Sequence, residues 1–128
     1  MFDTVERIAK EKEKIMKKKI GEVVLDYRFY PEKDLYSDGA VEDELLQIAK
    51  SCEPDEYNQV IADRKSWPVL YHFSHIRENI AEWIPLTKQD SVLEIGSGCG
   101  AVTGALALGA GKVTCIELSE KRSLINAY

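Results

Sequence analysis

With 128 residues, 45% of them apolar and 30% charged, the chain is sized for one globular domain with a modest core. The net charge of −5 is unevenly spread: residues 1–20 carry seven Lys/Arg against four Asp/Glu, which leaves an acidic body that argues against a nucleic-acid groove. No apolar run approaches the roughly 18 residues of a membrane span, MFDTVERIAKEKEK is too charged for a secretory leader, and Cys52, Cys99 and Cys115 without a CxxC pair read as free thiols of a cytoplasmic protein.

Residues 2–20 predict an amphipathic helix, with Phe2, Val5, Ile8, Ala9, Ile15, Met16 and Ile20 near helical spacing and Gly21 as its stop. EVVLDYRFYP, rich in β-branched and aromatic residues, predicts a short strand or extended segment ending at Pro31, and LYSDG a turn. VEDELLQIAK predicts a helix whose Glu42, Asp43 and Glu44 suit the positive end of the helix dipole rather than a metal. PDEYNQVIADRKS predicts another, opened by Pro54, and WPVL reads as its break. Ser74 then caps HIRENIAEWI, with an apolar stripe at Ile76, Ile80 and Trp83 or Ile84, and Pro85 ends it. His72 and His75 have no cysteine near them in sequence, so no metal site is expected.

Beyond Ser66–Pro68 the composition shifts from charged and helical to glycine-rich and β-branched. VLEI predicts a strand, GSGCG a tight turn, AVTGALALGA a helix, KVTCIE a second strand, and LSEKRSLINAY a helix capped by Ser119. Strand, glycine turn, helix and strand make a βαβ unit, which implies two parallel strands and a right-handed crossover. The fold class expected is α/β: a mainly helical segment over 1–66, then over 67–128 the start of a Rossmann-like core.

Bare backbone between a strand and a helix lets a ligand approach at the carboxyl edge of a sheet. Gly96-x-Gly98-x-x-Ala101 fits the loose nicotinamide or flavin dinucleotide fingerprint. Three features favour a different adenosine ligand. The glycines alternate at 96, 98 and 100; Glu94 precedes the first of them by two residues; and the motif begins only after about 90 residues of chain.

VLEIGSGCG resembles the first motif of class I S-adenosylmethionine-dependent methyltransferases, an apolar strand with an acidic residue before G-x-G-x-G. CIELS at 115–119 resembles their next motif. The matched part is residues 91–119, and the upstream WPVLYHFSHIRENIAEWIP is similar to a segment of some bacterial methyltransferase-like proteins linked to surface polysaccharide synthesis. The resemblance implies S-adenosyl-L-methionine as cofactor and a Glu117 carboxylate on the ribose hydroxyls. It puts Glu94 near the methionine ammonium, and Gly96, Ser97, Gly98 and Gly100 under the same moiety. The helix start near Ala101 would face the methionine carboxylate, Leu118 would pack on the adenine, and the backbone of Cys99 would line the site, its side chain serving as packing. Arg77 and Tyr71 would close over the cofactor.

The methyl acceptor and the catalytic residues stay unidentified at this level. The family's later strands have no counterpart here, so the chain reads as the amino-terminal part of a longer protein. Two parallel strands alone leave an apolar edge that invites self-association. The alternatives are a nicotinamide- or flavin-dependent oxidoreductase and a non-catalytic assembly module acting through the helix at 2–20.

Overall fold

A computed structural model describes residues 2–128, apart from the side chains of 2–5 and 13–15. It is a mixture of helices and two small two-stranded sheets. Helix α1 runs Phe2–Ile15, and strands β1 (Lys17–Ile20) and β2 (Val23–Asp26) follow as an antiparallel hairpin. The helix expected over 2–20 therefore ends five residues early, and the short strand or extended segment expected in EVVLDYRFYP is β2. Lys17, Lys18 and Lys19 are consecutive like charges. A strand throws them to alternate faces, and Gly21, at φ +54°, makes the tight reversal that pairs them with Val24, Leu25 and Asp26. The apolar stripe expected at Phe2, Val5 and Ile15 lies outside the described side chains, and Ile8 on the same helix is exposed.

Helix α2 (Ala40–Ser51) buries Leu45, Ile48 and Ala49 along one face. A 3-10 turn at Pro54–Glu56 leads into α3 (Tyr57–Arg64), so Pro54 opens the turn as expected while the α-helix proper starts later. Lys65, at φ +49°, breaks the chain. WPVL does not: it begins α4 (Trp67–Phe73), with Ser66 as the extended residue before it and Pro68 in the first turn. Ser74 accepts the Ile76 N–H as expected, but the helix it caps is a 3-10 turn, His75–Glu78, running into a short α5, Asn79–Glu82. The stripe assigned to that helix is not buried: Ile76, Ile80 and Trp83 are all more than 60% exposed.

Strands β3 (Ser91–Ile95) and β4 (Lys112–Ile116) pair in parallel, with Glu94 opposite Cys115. The connecting helix α6 is Thr103–Gly109, two residues later in its start than expected, and α7 is Glu120–Ala127. Val92 and Glu94 turn towards α6, whereas Leu93, Ile95 and Ile116 are at least half exposed on the other face. Lys88 closes the carboxyl end of α6: its ammonium donates to the carbonyls of Ala107, Leu108 and Ala110 at 3.3, 2.6 and 3.0 Å. No described helix is long and apolar enough to cross a membrane.

The core joins the two halves of the chain. Leu45, Ile48 and Ala49 of α2, Val69 of α4 and Ile125 of α7 form one buried cluster, with Tyr57, Phe73 and Cys99 packed around it. Charge reinforces the joint. Arg122 on α7 donates to Glu42 at 2.6 Å and to Asp38 at 2.8 Å, and stacks 4.4 Å over the Tyr36 ring. Glu42, 1% exposed, also accepts from Ser37 at 2.8 Å. The dipole reading of Glu42 was thus incomplete: this carboxylate is buried in an ion pair. Asp34 accepts the Ser119 hydroxyl at 3.0 Å and the Glu120 and Lys121 N–H groups at 2.7 and 3.4 Å, capping α7 from outside.

Burial alone would raise both carboxyls. Hydrogen bonds from Glu120 and Ser119 to Asp34, and from Arg122 and Ser37 to Glu42, override it and hold each below its ordinary value of 3.8 or 4.5. Depressed folded values mean stability that is complete above the ordinary carboxylate range and lost as pH falls through it. Chemical denaturation between pH 6 and pH 3 should show the midpoint falling steadily below about pH 5, and less steeply in Asp34→Asn. Arg122→Met strands a buried carboxylate and should cost about 3 kcal/mol, part of it recovered when Glu42→Met is added.

Candidate functional site

Two strand ends and the loop between them build the site. Gly96 N–H donates to the Ile116 carbonyl at 2.8 Å, extending the parallel ladder one step past β3. The chain then turns through Gly96–Gly100 before α6. Glu117, the first residue after β4, reaches back across this opening and accepts the Gly98 N–H at 2.8 Å. Its other oxygen accepts the N–H groups of Leu118 at 2.8 Å and Ser119 at 3.0 Å. One carboxylate thus holds the loop to the exit of the neighbouring strand, and three of its roughly four acceptor positions are filled.

Gly96, Gly98 and Gly100 all have positive φ, +73°, +57° and +86°. At Gly98 a Cβ would meet open space, so the bare backbone there faces outward. At Gly100 a Cβ would run into Asn126, with that residue's backbone Cα 3.0 Å away. Glycine is required at 98 by the turn, and at 100 by the turn and by α7 pressing against it.

Glu94 lies beneath the loop. It accepts the Thr103 hydroxyl at 2.6 Å and the Cys115 thiol at 3.4 Å, and Asn126 donates to Thr103 at 3.1 Å. Burial, then the Glu94 charge, pushes the Cys115 thiol upward. Cys99 packs against the core, and burial pushes its thiol up to about 11, so it is a neutral packing group. Ser97 is 9% exposed, and among the described residues its hydroxyl has no well-formed hydrogen bond, with the Cys115 thiol as its loose neighbour. Leu118 is 72% exposed beside Glu117.

The structure therefore brings Glu117, Leu118 and the 96–100 loop together at one edge of the sheet, with Glu94 below. Arg77 and Tyr71 form a unit of their own, the guanidinium 4.1 Å over the ring and hydrogen-bonded to the Tyr71 carbonyl at 3.4 Å. Among the described residues no hydrogen bond, ion pair or ring contact joins them to the loop. The helix end expected at Ala101 is also displaced: 101–102 are turn residues, and α6 is only seven residues long. Among the described residues no group of three His, Cys, Asp or Glu could hold a metal ion.

A cavity of about 290 Å³ adjoins the loop between β2, β4 and α7. It touches the loop through Ser97 and the strand exit through Glu117, but none of the three glycines, Glu94 or Leu118 lines it. Tyr27, Tyr30 and Glu120, which the sequence reading left without a role, do line it. For the two tyrosines the only sequence signal was the aromatic density of EVVLDYRFYP.

No family model, curated protein or solved structure matches the chain.

The glycines make a graded prediction. Gly98→Ala has space but the wrong φ and should cost about 1–2 kcal/mol. Gly100→Ala adds a collision with the Asn126 side chain and a tight contact with its Cα, and thermal unfolding should show a clearly larger loss. Equal losses would mean that α7 yields.

Proposed function

We propose that the chain carries the donor-binding edge of an S-adenosyl-L-methionine-dependent methyltransferase, on the first βαβ unit of a Rossmann-like core. The observation that carries the reading is the 2.8 Å hydrogen bond from Gly98 N–H to Glu117, at the carboxyl end of two parallel strands. It puts an exposed glycine backbone and a strand-end carboxylate on the same opening, where open α/β sheets take ligands.

The residues fit the donor in part. The open space over Gly96 and Gly98 admits a moiety against bare backbone. Exposed Leu118 offers an apolar surface to a planar base. Glu117 has room for about one further hydrogen bond as it stands, so gripping two ribose hydroxyls requires the Gly98 N–H or a neighbour to let go. Glu94 is engaged below the loop through one oxygen and keeps the other for an ammonium group or a bridging water. When bound, the donor supplies a methyl group on a sulfonium centre. The chain's own part is to hold the adenosyl end and orient it, since methyl transfer depends on alignment with the acceptor. Arg77 and Tyr71 would contribute only by moving towards the loop.

Self-association through the sheet is a companion proposal, favoured by Leu93, Ile95 and Ile116 on a face no described element covers.

NMR titration of the 128-residue chain separates the readings. S-adenosylmethionine should shift the Gly98 and Leu118 amides saturably, with weaker than micromolar affinity because the loop is an open shelf, while NAD⁺ leaves them unmoved. A hydrogen bond to a charged group is worth about 1.5–3 kcal/mol, so Glu117→Gln should weaken the donor at least about tenfold. Shifts with NAD⁺ alone would transfer the site to the oxidoreductase reading, and none with either would remove both.

A further inference from the structure

The cavity beside the loop has features that the donor reading does not use. Two hydroxyl groups bordering it, Tyr27 Oη and Ser97 Oγ, are buried and make no well-formed hydrogen bond among the described residues, with Glu120 and Cys115 as their loose polar neighbours. Leaving one such group unsatisfied costs about 1–3 kcal/mol, and two bordering a single cavity point to a polar occupant. Part of the lining is apolar: Val23, Val24 and Leu25 of β2 contribute to it, and the Tyr27 and Tyr30 rings meet edge-on at 5.9 Å.

The charge around the cavity has one sign. Asp26, Glu117 and Glu120 line it, and among the described residues no Lys, Arg or His does. Asp26 is neutralised by Arg28 at 2.6 Å, and Glu117 is occupied by three N–H donors. Among the described residues Glu120 has no ion-pair partner within 4 Å. After burial, the larger cause, its charge pushes the Tyr27 phenol upward and helps Asp34 hold the Tyr30 phenol at about 12. A negative field in a half-enclosed, partly aromatic cavity favours a cation carried on an apolar body.

The geometry points to this cavity as a binding site for a small organic ammonium compound, its cationic head towards Glu120 and the Ser97 and Tyr27 hydroxyls, its apolar body against β2 and the tyrosine rings. The site shares only Ser97 and Glu117 with the loop edge and stands whether or not that edge binds a methyl donor. A volume of about 290 Å³ admits a primary amine with a single aromatic ring.

Three probes of one shape and different charge test it: 2-phenylethylamine, 2-phenylethanol and 3-phenylpropanoate. Each is titrated into the 128-residue chain without any cofactor, with the Ser97, Cys115 and Asn126 amides followed by NMR. The amine should shift these amides saturably and bind at least tenfold more tightly than the alcohol, and the carboxylate should leave them unmoved. Glu120→Gln should bring the amine down to the level of the alcohol while the spectrum stays dispersed. Ser123→Leu, which puts bulk into the cavity, should abolish the shifts for every probe. Equal binding of amine and carboxylate, unchanged amine affinity in folded Glu120→Gln, or no shift with any probe would each overturn the assignment, the last leaving a cavity that holds only water.

Discussion

The structure depends on how the amino end of α7 is held. Ser119 caps the helix by accepting the Arg122 N–H, and Asp34, far away in sequence, takes the Ser119 hydroxyl and the next two N–H groups. Glu117 sits two residues before that cap. Its carboxylate folds onto the Leu118 and Ser119 amides and reaches Gly98 with the other oxygen. A continuous relay of hydrogen bonds therefore runs from Asp34, in the loop before α2, to the backbone of the glycine turn. The Glu42–Arg122 ion pair runs beside it and keeps α2 against α7. A carboxylate capping a helix favours its ionised form, so the relay is strongest where Asp34 is charged. The shape of the candidate site is thus set by residues that touch no ligand.

The βαβ unit was legible because its signals are local. Strand alternation, glycine spacing and the Ser119 cap each act within a few residues, and β3, β4 and α7 lie where those signals put them. The hairpin was not legible in the same way. KKKI continues the lysine rhythm of the preceding helix, and only pairing with VVLD across Gly21 turns it into a strand. Gly21 reads as a helix stop in the sequence and is the tight reversal of a hairpin in the fold. At WPVL the error ran the other way. WPVL reads as a break, although behind an extended serine its proline sits where a first turn lacks a use for its missing N–H.

The candidate site divides along the same line. Glu117 and the loop came from adjacent motifs, and the fold brings them together through contacts nineteen residues apart. Glu94 was placed in the right strand, but its partners Thr103 and Cys115 follow from strand register and helix packing, which a linear pattern does not carry. Arg77 and Tyr71 were paired with the loop by resemblance alone, and each found the other instead. Asp34 and Glu120 had no pattern to announce them, since what joins them is the docking of the loop before α2 against α7.

Lys88 and Gly111 close the account on the far side of the sheet. The Lys88 ammonium gathers three carbonyls at the end of α6, and Gly111 passes so near that a Cβ on it would press into the Lys88 backbone. Bulk at 111 would push that backbone aside and carry the ammonium off its acceptors, and a shorter residue at 88 would strand the same acceptors directly. Two positions on opposite sides of the glycine motif therefore answer as a single locus. A change at either one loosens the carboxyl end of α6 in the same way.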